Sequence, residues 1–444
     1  MCVFTQRASK TALGRLVAFA GVFVVVCSVP ALAQTALIPA RLSLADAVKL
    51  AIERNPAITE AVAGVDAAEA DRVTAARRPN PALSLDSEGY PLFEPNRPNL
   101  WGNQEFTIRY DQELETAGRR RIRTDLARTG QEIAQLELRD MQRQIELAAR
   151  RAYLVAVLAE ADKAVAQTAL EEIDRVITLN RARFDQGEIS GADLRRLQVE
   201  RLRFVEDLFA ADLAARNGRS ALLAVLHAAS LDQPLELTDG LAVSPGEMGA
   251  LLADATAGTS GRQSLVAQAL AARPDILGAR QEQSQVETAT RLQRALRTPN
   301  ITFGAGYRRS FGTNAVVFGA TISLPIFNRN QGGVMRADAE RRAADARSAQ
   351  VENAVRLDVQ RTVNAVEVNR ARVTYLENEY LTSARESRDI VLESYRLGVA
   401  NLIDYLDAQR AFRDTQRTYN RALFDQRLSL FELAAAVGSD ARRQ

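Results

Sequence analysis

One turn occurs twice in this sequence. Phe184-Asp-Gln-Gly187-Glu-Ile-Ser190 is followed by Asp193 and Gln198, and Tyr395-Arg-Leu-Gly398-Val-Ala-Asn401 is followed by Asp404 and Gln409. Each copy places an aromatic three residues before a glycine, a capping-type polar residue three after it, an Asp six after and a Gln eleven after, and the two glycines stand 211 residues apart. Agreement at so many positions and one offset implies duplication of an architectural unit. The chain therefore folds as two copies of one elongated repeat, despite a length of 444 residues that could hold several ordinary domains.

The flanks repeat as well. Leu44 to Arg78 reads as a helix capped by Ser43, with apolar positions Leu44, Ala47, Val48, Ala51 and Ile52 and a kink or interruption at Asn55-Pro56. Its counterpart is Ser264 to Arg297, where Arg273-Pro274-Asp275-Ile276 matches Asn55-Pro56-Ala57-Ile58. After Pro79 and Pro81 in one copy, and Pro299 in the other, the period changes from helical to alternating. Ala82 to Tyr90, Glu105 to Leu114, Ile301 to Tyr307 and Val316 to Ile326 read as strands; the last puts Val316, Phe318, Ala320, Ile322, Leu324 and Ile326 on one face and Thr321 and Ser323 on the other. Polar loops, Pro91 to Asn103 and Arg308 to Asn314, join each pair.

Long helices follow. From Gly118 to Phe184, and again from Gly332 to Tyr395, there is no proline and almost no glycine, and about 65 helical residues span roughly 100 Å. Val359, Val363, Val366, Val373, Leu376 and Tyr380 recur with an average spacing near 3.5, the coiled-coil period, and Ala148, Ala152, Val155, Val165 and Ala169 form the seam expected in the first copy. The twin turns end these helices. Gly187 and Gly398 supply positive φ, and Ser190 and Asn401 cap the returning helices Ala192 to Leu226 and Leu402 to Val437. The organisation expected is a leader at 1–33, a first repeat at 34–230, a linker at 231–261 and a second repeat at 262–444.

The leader rests on Arg7, Lys10 and Arg15, an apolar run from Leu16 to Val29, and Ala31-Leu32-Ala33, after which Gln34 begins the mature chain. Both cysteines, Cys2 and Cys27, lie in that leader, and His227 is the lone histidine, so no thiolate or histidine-pair metal site and no cysteine nucleophile is expected. No catalytic constellation emerges, and Gly304-Ala-Gly306 lacks the third glycine of a dinucleotide loop. With 57 basic and 55 acidic residues interspersed along the chain, nucleic-acid binding is not suggested. Beyond the leader no run reaches the length of a membrane-spanning helix, so a membrane crossing has to use β-strands. Four strands are too few to close a barrel, and copies would have to combine.

These features resemble the TolC-like outer-membrane efflux proteins of Gram-negative bacteria over nearly the whole mature chain. The resemblance is carried by the duplicated order of elements, by both turns, and by Ile322-Ser-Leu-Pro325-Ile-Phe-Asn-Arg-Asn-Gln-Gly332, a strand-to-helix junction similar to that of the cobalt-zinc-cadmium branch; Glu113-Leu-Glu-Thr-Ala-Gly118-Arg-Arg is its first-copy counterpart. It implies a mainly α fold with a membrane β-barrel, a homotrimer whose twelve strands form one barrel and whose twelve helices form a periplasmic tunnel. The implied protein is not an enzyme and uses no cofactor. It is a passive duct in outer-membrane lipid, extending into the periplasm, that docks a periplasmic adaptor and an inner-membrane resistance-nodulation-division pump and exports heavy-metal cations. A duct for drugs or for type I secretion is the alternative within that class. A soluble periplasmic coiled-coil adaptor is the alternative outside it, and it has no use for an apolar strand face such as Val316 to Ile326. By family position Gly187, Ser190, Gly398 and Asn401 form the tips that meet the adaptor, Asp193 and Tyr395 match a gating pair, and Asp404 and Asp407 match an acidic ring at the entrance. Where some members carry an Arg two residues after the second tip glycine, this chain has Ala400. The Arg119-Arg-Arg-Ile-Arg123 cluster suits either lipid head groups or a solvated helix start.

Overall fold

The computed structural model describes residues 38–89, 104–243 and 257–438, together with Gly249, Ala253 and Ala255. The expected leader with its cysteines, Tyr90, the Pro91 to Asn103 loop and Pro245-Gly246 lie outside the described residues.

Each repeat opens with two helices, so the proline interrupts the expected helix and does not merely kink it. Helices α1 (Leu44–Arg54) and α2 (Pro56–Ala75) part at Asn55, whose extended backbone ends the first while its side chain accepts from Ala57 N at 2.9 Å to cap the second. In the second copy α5 (Gly258–Ala272) and α6 (Pro274–Ala295) part at Arg273, and the pair begins six residues before the expected Ser264. Proline at the first helical position fits both starts, since its missing N–H is an orphan there in any case.

Strands β2 (Ala82–Glu88), β3 (Glu105–Leu114), β5 (Ile301–Ser310) and β6 (Thr313–Ile322) form one antiparallel sheet in that order. The expected Arg308 to Asn314 loop shrinks to Phe311-Gly312, both with positive φ (47° and 82°), the two-residue turn that matches strand twist. The fourth strand stops at Ile322 and does not reach Ile326, because Pro325 has no N–H to give a ladder. The register sets Leu83, Leu85, Ile108, Tyr110, Phe303, Ala305, Tyr307, Val316, Phe318 and Ile322 on one continuous apolar face. Phe318 on that face is 81% exposed. The other face carries Arg109 and Asp111, whose 2.8 Å ion pair lies across Gly304 and Gly319. A Cβ at Gly304 would come within 2.2 Å of the Asp111 carboxylate, so a larger residue there would displace the Arg109–Asp111 pair.

Helices continue the strands in the same lateral order: α2, α3 (Arg119–Asp185), α6 and α7 (Gln331–Tyr375) pack side by side. The returning helices are α4 (Gly191–Val225) and α9 (Leu402–Val437), with α8 (Thr382–Arg396) completing the second hairpin. The 67 residues of α3 run unbroken, whereas a π turn at Leu376–Leu381 separates α7 from α8. That extra residue per turn breaks the predicted seam. Val359, Val363, Val366, Val373 and Leu376 are buried, but Tyr380 is 52% exposed. In the first copy the seam is also displaced: Ala169 is buried as expected and Ala152 and Val165 are half-buried, but Ala148 and Val155 are exposed, and Ile145, Ala149, Ala156 and Ala166 are buried instead. There α3 is packed by α1, α4, α6 and α9, so burial follows several neighbours and not one stripe.

The predicted linker does more than connect. Its Glu236–Leu237 (β4) pairs in parallel with Arg41–Leu42 (β1), and Arg41 and Glu236 form a two-pronged ion pair at 2.9 and 3.0 Å. Asp239 accepts from Leu44 N at 2.8 Å and from the buried Tyr153 hydroxyl at 3.2 Å, tying the chain's entry, its middle and α3 together. Around this knot lies the main core, rich in Ala, Val and Leu, where Gly218 lets α4 approach α3 so closely that a Cβ would meet Ala156 Cα at 3.1 Å.

Candidate functional site at the paired helix tips

Both tips are built by the same backbone bonds. In the first, Gly187 N donates to Phe184 O at 2.9 Å and Glu188 N to Arg183 O at 2.9 Å; in the second, Gly398 N donates to Tyr395 O at 3.1 Å and Val399 N to Ser394 O at 2.8 Å. These are Schellman closures, and they require the left-handed backbone seen at Gly187 (φ 78°) and Gly398 (φ 75°). No atom lies within 4 Å of a hypothetical Cβ at either glycine, so conformation and not space demands glycine. Ser190 Oγ then accepts from Asp193 N at 3.1 Å, and Asn401 Oδ1 from Asp404 N at 3.0 Å, as cap residues of α4 and α9.

Side chains separate the two. Phe184 is half exposed, while Tyr395 is 8% exposed and stacks on Tyr405 with ring centroids 5.6 Å apart. The Tyr395 hydroxyl donates to Asn180 Oδ1 at 2.6 Å, and the buried Asn180 amide donates to Val176 O at 2.8 Å. Asp193 takes the Ser190 hydroxyl proton at 2.7 Å. The expected Asp193 and Tyr395 pair shares no hydrogen bond among the described residues; Asp193 reaches the tyrosine only through space, as the least of the influences on its hydroxyl. Burial is the largest of those influences and pushes the Tyr395 hydroxyl up, against the opposing effects of Asn180 and Arg183. Tyr405 is pushed up to about 12, chiefly by burial and next by the charge of Glu172.

The arginine missing at Ala400 has a counterpart from another helix. Arg183 of α3 reaches across to donate to Tyr395 O at 3.4 Å and to Arg396 O, and its guanidinium lies 5.9 Å from the Tyr395 ring centroid. A cation at the last carbonyls of α8 also meets the negative end of that helix. About two turns deeper, Glu172 accepts from Arg388 at 3.0 Å and from the buried Gln409, and Arg388 stands 4.4 Å over the Phe412 ring. A cleft of about 510 Å³ between these helices is lined by Glu172, Arg175, Arg183, Arg388, Arg396 and Tyr405. Asp404 and Asp407 are exposed on one face of α9, and Asp407 pairs with Arg410 at 3.1 Å, which also engages Glu200 of α4.

Sequence reasoning missed Asn180, Arg183, Glu172 and Arg388. The available signal was disagreement between the copies: at the 211-residue offset Asn180 faces Val391, and Arg183 faces Ser394. Among the described residues no group of three or more His, Cys, Asp or Glu side chains is placed to hold a metal ion. What the arrangement can do is mechanical. Two hairpin ends are held together by a few polar bonds and by a shared apolar cluster in which Ile173 and Leu197 meet Tyr395 and Leu402, and the polar bonds are contacts that a partner could exchange for its own.

Comparisons with known proteins agree with this architecture. The profile of the family described as outer membrane efflux protein matches residues 47–226 and 265–439, one segment in each repeat. The cobalt-zinc-cadmium resistance protein CzcC of Cupriavidus metallidurans is 25% identical over 382 residues, 85% of either chain. Among solved structures, CusC superposes with a TM-score of 0.74 at 17% identity, over 89% of this chain and 92% of its own. The outer-membrane channel OprN superposes with 0.73 at 18% identity, over 90% of both chains. At those identities the two structures speak for the fold.

Proposed function

The chain belongs to the outer membrane efflux protein family, and on that premise we propose that three copies assemble into one exit duct. It is an efflux channel of the outer membrane with a TolC-like, mainly helical fold. The observation that carries the trimer is the sheet: four strands with one continuous apolar face and no partner strand on the outer edges of β2 and β6 among the described residues. Three such sheets joined edge to edge make a twelve-stranded barrel, with lipid against Phe318 and its neighbours and water against Arg109 and Asp111. Twelve helices then continue it as a periplasmic tunnel.

The twin turns form the inner end of that tunnel. Gly187, Ser190, Gly398 and Asn401 meet a periplasmic adaptor, which in turn brings an inner-membrane resistance-nodulation-division pump. Tyr395, working through Asn180 and Arg183, holds the end shut with Asp193 beside it, and Asp404 and Asp407 in three copies line the entrance and attract cations. A divalent metal ion is the proposed cargo, supported by the likeness to CzcC. The repeats at 34–230 and 262–444 supply the duct, and 231–261 girdles it.

Two measurements test this. The protein extracted from outer-membrane fractions is expected as a detergent-requiring trimer; a soluble monomer would defeat the duct. A strain lacking it is expected to lose tolerance to zinc, cobalt and cadmium, and unchanged metal tolerance with heightened drug sensitivity would move the cargo to drugs.

A further inference from the structure

The other end of the long helices carries cations that the duct does not use. Where the helices meet the sheet, Arg119 and Arg123 are spent on structure: Arg119 donates to Ala295 O at 3.3 Å, and Arg123 to Ala75 O at 3.1 Å and Glu115 at 2.5 Å, capping α6 and α2. Around them Arg77, Arg78, Arg120, Arg121, Arg297 and Arg329 are all exposed, and none has a carboxylate partner among the described residues. Among the described residues the one hydrogen bond given by these six side chains is from Arg329 Nε to Pro325 O at 3.2 Å. The nearby acids are already taken, Glu115 by Arg123 and Glu113 by Asn300 at 2.5 Å.

A solvated helix start does not account for this. The positive end of α3 favours acids, yet its first turn has none and begins with three arginines in succession. Directly on the strand side of the same level, Leu114, Ile322, Leu324, Ile326 and Phe327 are exposed, Phe327 at 92%. An apolar band that ends in a row of unpaired guanidinium groups is the pattern of a membrane boundary.

We propose that this collar binds the phosphate groups of anionic phospholipids at the periplasmic surface of the bilayer. The occupant follows from continuity with the apolar face of the sheet and from the fit of a planar guanidinium to phosphate oxygens. The inference rests on the barrel reading given above. Binding anchors the sheet at a fixed depth, with the helices entering water at the arginine level.

The test uses the full-length protein in bilayers of phosphatidylglycerol and phosphatidylethanolamine, with retained lipid measured by mass spectrometry after extraction. Wild type is expected to retain phosphatidylglycerol about tenfold over its bulk share, and 1 M NaCl in the extraction should abolish most of that enrichment. The R120Q/R121Q/R297Q variant should fall to the bulk ratio, whereas R195Q/R196Q, which changes two exposed arginines near the first tip, should behave as wild type. Absence of enrichment in wild type, salt-insensitive enrichment, or equal enrichment in the triple variant would overturn the proposal. A protein that does not enter the bilayer at all defeats the barrel instead, so the two failures are distinguishable.

Discussion

The two helical hairpins share a turn and differ in what they do with it. The first ends an unbroken 67-residue helix, leaves Phe184 half exposed and puts Leu194 where the second has Tyr405. The second follows a π turn, buries Tyr395 against Tyr405, and draws Asn180, Arg183 and Glu172 from the first hairpin onto itself. Duplication supplies a closure that any sequence with glycine and a cap can make. Divergence after duplication concentrates the contacts between the hairpins on one tip.

The comparison breaks most readily at the aromatic position. Tyr395→Ala is expected to lower the opening free energy of the second tip by about 3 kcal/mol or more, read by native-state amide exchange of α8 and α9, since it removes a buried ring and its hydroxyl bond. Phe184→Ala should cost the first tip under about 1 kcal/mol; equal losses would mean the asymmetry has no energetic content. Alkaline titration comes next. Tyr405 has its folded value raised to about 12 from 10.0, so the neutral form is favoured in the folded tip, and the stabilisation is complete below pH 10 and lost as pH rises through about 12. Protection at the second tip, corrected for the base-catalysed exchange of a free amide, should fall over that window by the equivalent of about 2 to 3 kcal/mol, Tyr405→Phe should flatten that fall, and the first tip, with Leu194 there, should show no such window.

Asn180→Leu should cost about 1–3 kcal/mol by stranding the Tyr395 hydroxyl, and adding Tyr395→Phe should recover part of it; strict additivity would show that the bond is idle. The glycines come last in this ordering and are symmetric. Gly187→Ala and Gly398→Ala each place a Cβ on a left-handed backbone in open space, for about 1 kcal/mol. A much larger loss at one of them would reveal a steric role that the open surroundings do not predict.

Much of this was readable beforehand, and the residues say why. Gly187, Gly398, Ser190 and Asn401 act on backbone within a few positions of themselves, and local chemistry is written locally. The apolar faces of the strands were visible for the same reason, through a period of two. What escaped reading acts at long range or without a marker residue. Asn180 and Tyr395 are 215 positions apart, and nothing in a helical stretch announces that an Asn will receive a tyrosine proton. The π turn at Leu376–Leu381 contains neither proline nor glycine, so the seam through Tyr380 looked continuous. Arg119 and Arg123 look no different from the arginines between them, suited to lipid head groups or a solvated helix start, because the carbonyls they satisfy belong to helices that end elsewhere in the sequence.

Among the described residues the outer edges of β2 and β6 have no partner strand and lie beside an apolar face, the condition under which a lone sheet sticks indiscriminately. The helices make their own hydrogen bonds. If three copies close a barrel as proposed, maturation is a rendezvous: helical segments can wait, and the sheet edges pair as the copies meet.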